Sequence, residues 1–142
     1  MELQVITLPV APPNITKVTP IRILLVEDNQ INRKLVDRYL KMKGWEVVYA
    51  QNGKEALERF QENTIDIILM DIQMPEMDGY EATMKIRELE AGTGRHVPII
   101  ALTAHAHESY MKKSHSSGMD DYLTKPIDPV EMYRVIQNLT EY

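Results

Sequence analysis

The feature that most constrains this chain is a repeated unit: a short apolar run with little period-two alternation, then a longer amphipathic stretch. The first run, "IRILLV" at residues 21–26, stops on two adjacent carboxylates, Glu27 and Asp28, and a helical pattern follows them. The unit occurs five times along the chain. Strands without alternation are apolar on both faces, and interleaved helices cover both faces when the strands run parallel. The pattern therefore predicts an α/β fold, a doubly wound five-stranded parallel sheet with five helices.

The other strands are read at 45–50, 65–70, 98–102 and 122–124. A first helix is predicted over about 30–43, with Ile31, Leu35, Tyr39 and Met42 along one face and Gly44 ending it. The turn signal Asn52-Gly53 precedes a second helix at 54–62, whose apolar side is Ala56, Leu57 and Phe60. A loop with Met74-Pro75 and Asp78-Gly79 leads to a third helix at 80–90. The connection "AGTGRHV" reaches the fourth strand, a fourth helix lies within 107–117, and the last covers 129–139. Strand order is not contained in this pattern, but five-stranded folds of the kind commonly take the flavodoxin-like order 2-1-3-4-5, with a crevice outside the carboxyl ends of the strands.

A chain of 142 residues fits one domain of ordinary size. With 26% charged residues and a net charge of -5, it offers no broad attraction to nucleic acid or anionic membrane. It contains no cysteine, which excludes thiolate metal sites and disulfides and weakly favours an intracellular, cytoplasmic setting. Residues 1–20, with four prolines and no cationic start, read as a linker or tail rather than a signal peptide, leaving 21–142 as the domain. No apolar run approaches the length of a membrane span.

What stands at the strand ends carries the chemistry. Glu27 and Asp28 follow strand one, Asp71 strand three, Thr103 strand four and Lys125 strand five. Singly, each has a bland explanation: an N-cap or turn former, β-propensity, a solvated lysine. Five polar groups converging on one crevice make a site the better explanation. Three crowded carboxylates would raise one another's pKa unless a cation sits among them, and an all-oxygen set suits a hard ion such as Mg²⁺. Lys125 and Thr103 suit phosphoryl oxygens, and Asp71 is the candidate nucleophile, since carboxylates form aspartyl-phosphates.

The stretches "ILLVEDNQINRKLV", "DIILMDIQMPEMDGYEA", "PIIALTA" and "GMDDYLTKPI" together resemble the receiver domain of two-component response regulators, most closely the receivers of hybrid sensor histidine kinases, over residues 21 to about 139. The resemblance implies that Asp71 accepts a phosphoryl group from a phosphohistidine, with Glu27, Asp28, Asp71 and the Gln73 backbone carbonyl around Mg²⁺. It implies that Thr103 and Lys125 contact the phosphoryl oxygens, that Lys125-Pro126 is a cis peptide, and that Tyr122 is an aromatic switch partnered with Thr103. Ala104 matches the small residue the family uses beside the phosphate. Gln73 and His105, each two positions beyond a site residue, are expected at the crevice mouth, tuning dephosphorylation. The implied partners are a histidine kinase or a histidine-phosphotransfer domain, docked with help from Ile31, and a homodimer through helix four, strand five and helix five is a further expectation. Residues 1–20 are then expected to join a kinase core to its receiver, with a stand-alone receiver as the rival arrangement. "AGTGRHV" is longer than the family's usual connection and is expected to lie away from the crevice.

Other classes fit less well. A flavodoxin needs a small-residue loop to cradle phosphate after strand one, where "EDNQ" would repel it. A phosphatase of the haloacid-dehalogenase kind uses Asp-x-Asp, whereas Ile72 and Gln73 follow Asp71, so the chain is read as a signalling phosphoacceptor with only slow self-dephosphorylation. A degenerate, purely adhesive receiver is disfavoured by the five intact polar positions. The scattered His96, His105, His107 and His115 are assigned no metal role, and Met70, Met84 and Met132 are read as core or loop filler.

Overall fold

The computed structural model describes residues 20–74, 77–105 and 107–140. Residues 1–19 of the linker expected at 1–20, and Pro75 of the loop after strand three, lie outside the described residues. Among the described residues the elements alternate: β1 (Arg22–Val26), α1 (Gln30–Met42), β2 (Glu46–Ala50), α2 (Gly53–Glu62), β3 (Ile67–Asp71), α3 (Gly79–Glu90), β4 (Ile99–Thr103), α4 (Glu108–Ser117), β5 (Asp121–Thr124) and α5 (Pro129–Thr140). All pairings are parallel, and the order is β2-β1-β3-β4-β5. Both the architecture and the strand order expected from the sequence are therefore present.

The missing alternation has a visible cause. In β1, Leu24 and Val26 enter one core, with Ala56, Tyr80 and Ile86, while Ile23 and Leu25 enter the other, with Val36, Leu40, Met132 and Ile136. Each strand thus presents apolar side chains to helices on both sides. Side chains of Asn29, Asn52 and Asp78 accept the N–H groups of Asn32, Glu55 and Glu81, and so start α1, α2 and α3. Gly118, at φ 110°, closes α4 in the left-handed region.

The apolar stripe read along α1 does not face the core. Ile31, Leu35 and Met42 are 78%, 44% and 72% exposed, and the helix is anchored instead by Val36 and Leu40. At about 100° per residue, Ile31, Met42 and Leu35 fall within roughly 40° of one another and Val36 and Leu40 about 100° or more beyond. The apolar arc is wider than the sheet can cover, and Tyr39, between the two stripes, is only partly buried. Met70 and Met132 are core residues as expected, whereas Met84 is 48% exposed.

The long connection before β4 does lie away from the carboxyl ends of the strands. Gly92 and Gly94 take φ of 83° and 80° in it. It is fastened by the buried Glu90, which accepts the Val97 N–H at 2.6 Å, and by Arg87, which reaches Glu90, the Val97 and Gly118 carbonyls and Asp120.

Candidate functional site

Strand register brings the chemistry together. Val26 lies opposite Met70, Asp71 opposite Leu102, and Thr103 opposite Thr124. Residues one step beyond these pairs, Glu27 and Lys125, therefore meet Asp71 and Thr103 at one end of the sheet. Parallel strands that stop level with one another leave their following residues on a common rim, which is why separated motifs converge.

The contacts are specific. Lys125 Nζ lies 3.1 Å from Asp71 Oδ1 and 3.2 Å from Glu27 Oε1. Glu27 is 1% exposed and Asp71 3%, while Asp28 is exposed. One oxygen from each of Glu27, Asp28 and Asp71 lies within 4.8 Å of the others. The Asn29 N–H donates to Glu27 Oε2 at 3.2 Å, and the Gln73 N–H donates to Asp71 Oδ1 at 3.3 Å. Glu27 Oε1 is buried, and the Lys125 ammonium at 3.2 Å is its compensating charge among the described residues. Burial and the neighbouring Asp71 push the Glu27 carboxyl up to about 7, against the pull of Lys125 and the Asn29 N–H. Burial works against the Lys125 ammonium too, but Asp71 and Glu27 more than offset it, and its pKa lies above the ordinary lysine value. A buried carboxylate oxygen held by one lysine and within reach of two further carboxylates is a donor set that fits a hard divalent cation.

The remaining expected residues fall as follows. Thr103 is buried at the end of β4, and its hydroxyl donates to the His105 carbonyl at 3.0 Å while accepting the His105 N–H at 2.9 Å. The Lys125 N–H donates to the Thr103 carbonyl at 2.7 Å, tying the two strand ends together. The Lys125-Pro126 peptide is cis. Tyr122 is partly buried against the core on the α2 and α3 side. Gln73 and Ala104 are exposed, and His105 is half-buried.

Sequence reasoning missed Gly79. It was read only as half of a turn, yet a Cβ there would overlap the carbonyl oxygen of Asp71 and come within 2.9 Å of the Ile72 Cα. Its N–H donates to the Ile72 carbonyl at 2.9 Å, so the loop after Asp71 folds back onto the strand end through a residue that must lack a side chain. Arg33, whose guanidinium donates to the Glu27 carbonyl at 3.0 Å, was missed as well. Neither contact leaves a signal in spacing or composition.

The five parallel strands in the order β2-β1-β3-β4-β5, with a lysine bridging two buried carboxylates at their carboxyl edge, define the class of fold and site to be compared with known proteins. Residues 23–137 match the response regulator receiver domain, and the chain belongs to that family. Hybrid signal transduction histidine kinase I of Dictyostelium discoideum is 46% identical over 126 residues, covering 85% of this chain and 7% of the kinase. The chain thus spans a small part of that relative's length. The receiver domain of the sensor histidine kinase PA1611 from Pseudomonas aeruginosa PAO1, solved with magnesium coordinated in its active site cleft, superimposes with a TM-score of 0.78 at 38% identity, covering 87% of this chain and 99% of that one. The co-crystal of the Saccharomyces cerevisiae histidine phosphotransfer signaling protein Ypd1 with the receiver domain of its downstream response regulator Ssk1 contains a chain 33% identical, with a TM-score of 0.79, covering 86% of this chain and 90% of that one. The chain is a receiver domain of two-component signalling. Among the described residues, no helix is long and apolar enough to cross a membrane.

Proposed function

We propose that Asp71 accepts a phosphoryl group from a phosphohistidine of a histidine kinase or histidine-phosphotransfer domain, and that the chain signals or relays it onward. The observation that carries this reading is the position of Lys125 Nζ, 3.1 Å from Asp71 Oδ1 and 3.2 Å from Glu27 Oε1. A carboxylate oxygen of Asp71 attacks the phosphorus. A P–O bond forms as the P–N bond to the donor imidazole breaks, and the departing imidazole keeps the electron pair and takes a proton. Lys125 moves its charge from the carboxylates toward the phosphoryl oxygens, and Thr103 donates its hydroxyl proton to one of them. Glu27, Asp28, Asp71 and the Gln73 backbone carbonyl would hold Mg²⁺, which when bound would supply charge to neutralise the oxygens gathered at the phosphorus.

Thr103, drawn to the phosphoryl group, vacates space into which Tyr122 turns, which reshapes the α4, β5 and α5 face used for output or homodimer contact. Gln73 and His105 tune the slow hydrolysis of the acyl phosphate without doing its chemistry. The domain is itself a signalling acceptor rather than an enzyme, within the cytoplasm, with no direct contact to nucleic acid or membrane.

Its phosphoryl partner is a helical histidine-phosphotransfer domain or kinase helix pair. That choice is supported by the exposed Ile31 and Leu35 on α1, beside a groove of about 300 Å³ bordered by Glu27, Lys125 and Ile127. Residues 21–142 form the receiver domain, and the proline-bearing residues 1–20 serve as the linker from a hybrid-kinase core. The test is incubation with acetyl phosphate and Mg²⁺, followed by intact mass. One added phosphoryl group is expected on the wild type and none on Asp71→Asn; equal labelling of both would overturn the reading.

A further inference from the structure

The Thr103 hydroxyl is already occupied. It has one proton, and that proton goes to the His105 carbonyl at 3.0 Å, while its oxygen accepts the His105 N–H at 2.9 Å. To donate to a phosphoryl oxygen, Thr103 must release the His105 carbonyl, so the phosphoryl group and the His105 backbone compete for one donor. His105 is in turn attached to something outside the cleft. Its imidazole stacks on the ring of Tyr110, with centroids 4.8 Å apart and planes inclined by 17°. Tyr110 sits in the first turn of α4.

The helix is poorly fastened for its position. No side chain caps its N-terminus, where His107 occupies the cap. Its buried residues are Ser114 and Ser117, and their hydroxyls turn back on the helix, to the Tyr110 and Ser114 carbonyls, instead of reaching a neighbour. Its contact with α3 includes Lys113 over the Tyr80 ring, 4.6 Å from the centroid. No large apolar side chain of α4 is fully buried. A helix held this way shifts more readily than α1 or α5, which insert Val36 and Leu40, or Met132, Val135 and Ile136, into the core.

We propose that the stack of His105 on Tyr110 is a second link between the phosphorylation cleft and α4, working beside the Tyr122 switch, with Tyr110 as the positioning residue that sets where the His105 ring stands. This rests on the proposed phosphoryl transfer to Asp71. Release of the His105 carbonyl by Thr103 moves the backbone at 104–105, and the stacked rings carry that movement into the unfastened first turn of α4. The same stack governs how freely the imidazole swings at the end of β4, and so how it tunes the lifetime of the acyl phosphate.

The experiment compares the wild type with Tyr110→Phe, Tyr110→Leu and Tyr110→Ala, each saturated with beryllofluoride and Mg²⁺ as the phosphoryl mimic. Backbone amide shifts are followed at Thr103 and along α4, and acetyl phosphate-labelled samples are followed for decay. Tyr110→Phe keeps the stack and should behave as wild type. Tyr110→Leu and Tyr110→Ala should keep the Thr103 response, lose the α4 response, and change the decay rate by between about two- and ten-fold, the range an aromatic pair supports. An undiminished α4 response in Tyr110→Leu and Tyr110→Ala would overturn the proposal, as would Tyr110→Phe losing as much as they do. Failure of the wild type to bind the mimic or take a phosphoryl group would instead contradict the proposed function itself.

Discussion

Lys125 Nζ stands between two buried carboxylates, 3.1 Å from Asp71 and 3.2 Å from Glu27, and is the nearest positive charge to both among the described residues. Removing it leaves those carboxylates facing each other. Lys125→Ala should destabilise the metal-free domain by roughly 1–3 kcal/mol at neutral pH, less than a fully buried pair because the lysine retains solvent. Mg²⁺ should recover most of the loss. Urea denaturation of both proteins with and without Mg²⁺ checks this, and equal loss in both conditions would contradict it.

The raised pKa of Glu27, about 7 against an ordinary 4.5, has a definite sign in stability. The folded state holds the proton more tightly than the unfolded chain. The contribution is complete below about 4.5 and is lost as pH rises through about 7. In metal-free protein the melting temperature should therefore fall between pH 5 and 8 through this group, and Glu27→Gln should flatten that fall. Mg²⁺ must displace the same proton, so its affinity should weaken as pH drops below about 7. Melting curves and calorimetric titrations across the window test both; an unchanged profile in Glu27→Gln would refute the assignment.

Gly79→Ala separates helix propensity from steric fit. In an ordinary helical position the change gains up to about 1 kcal/mol. Here the new Cβ would press on the Asp71 carbonyl and Ile72 Cα, and overpacking of this kind costs about 1–3 kcal/mol. The variant should be less stable than wild type and slower to accept phosphoryl from acetyl phosphate. A more stable variant with unchanged labelling would show that the loop gives way.

Ile31 is 78% exposed, so Ile31→Glu should alter stability by no more than about 0.5 kcal/mol. If the α1 face receives the donor domain, the variant should lose about ten-fold or more in transfer from a phosphorylated histidine-phosphotransfer domain while its labelling by acetyl phosphate is unchanged. Paired rate measurements with the two donors distinguish docking from chemistry.

The convergence of five polar residues at four strand ends was readable because parallel strands stopping level put their last or following residues on one rim, so bringing Glu27, Asp28, Asp71, Thr103 and Lys125 together needed only the fold class. The inward side of α1 was not readable. Ile31, Leu35 and Met42 form as good an apolar stripe as Val36 and Leu40, and only the position of β1 and β3 beneath the helix decides between them. Gly79 and Tyr110 were hidden for a different reason. One acts through a close approach to the Asp71 carbonyl and the other through a ring stack on His105, and neither contact has a spacing that pattern can register.

The central claim is that a phosphoryl group passes from histidine nitrogen to Asp71. The most direct measurement mixes the chain with a histidine-phosphotransfer domain carrying radiolabelled phosphohistidine and Mg²⁺, then follows the label and its alkali lability. Label should move to the wild type as an alkali-labile acyl phosphate on the peptide containing Asp71, and Asp71→Asn should receive none. Label retained on the donor across a panel of such domains, or an alkali-stable label on Asp71→Asn, would contradict the account.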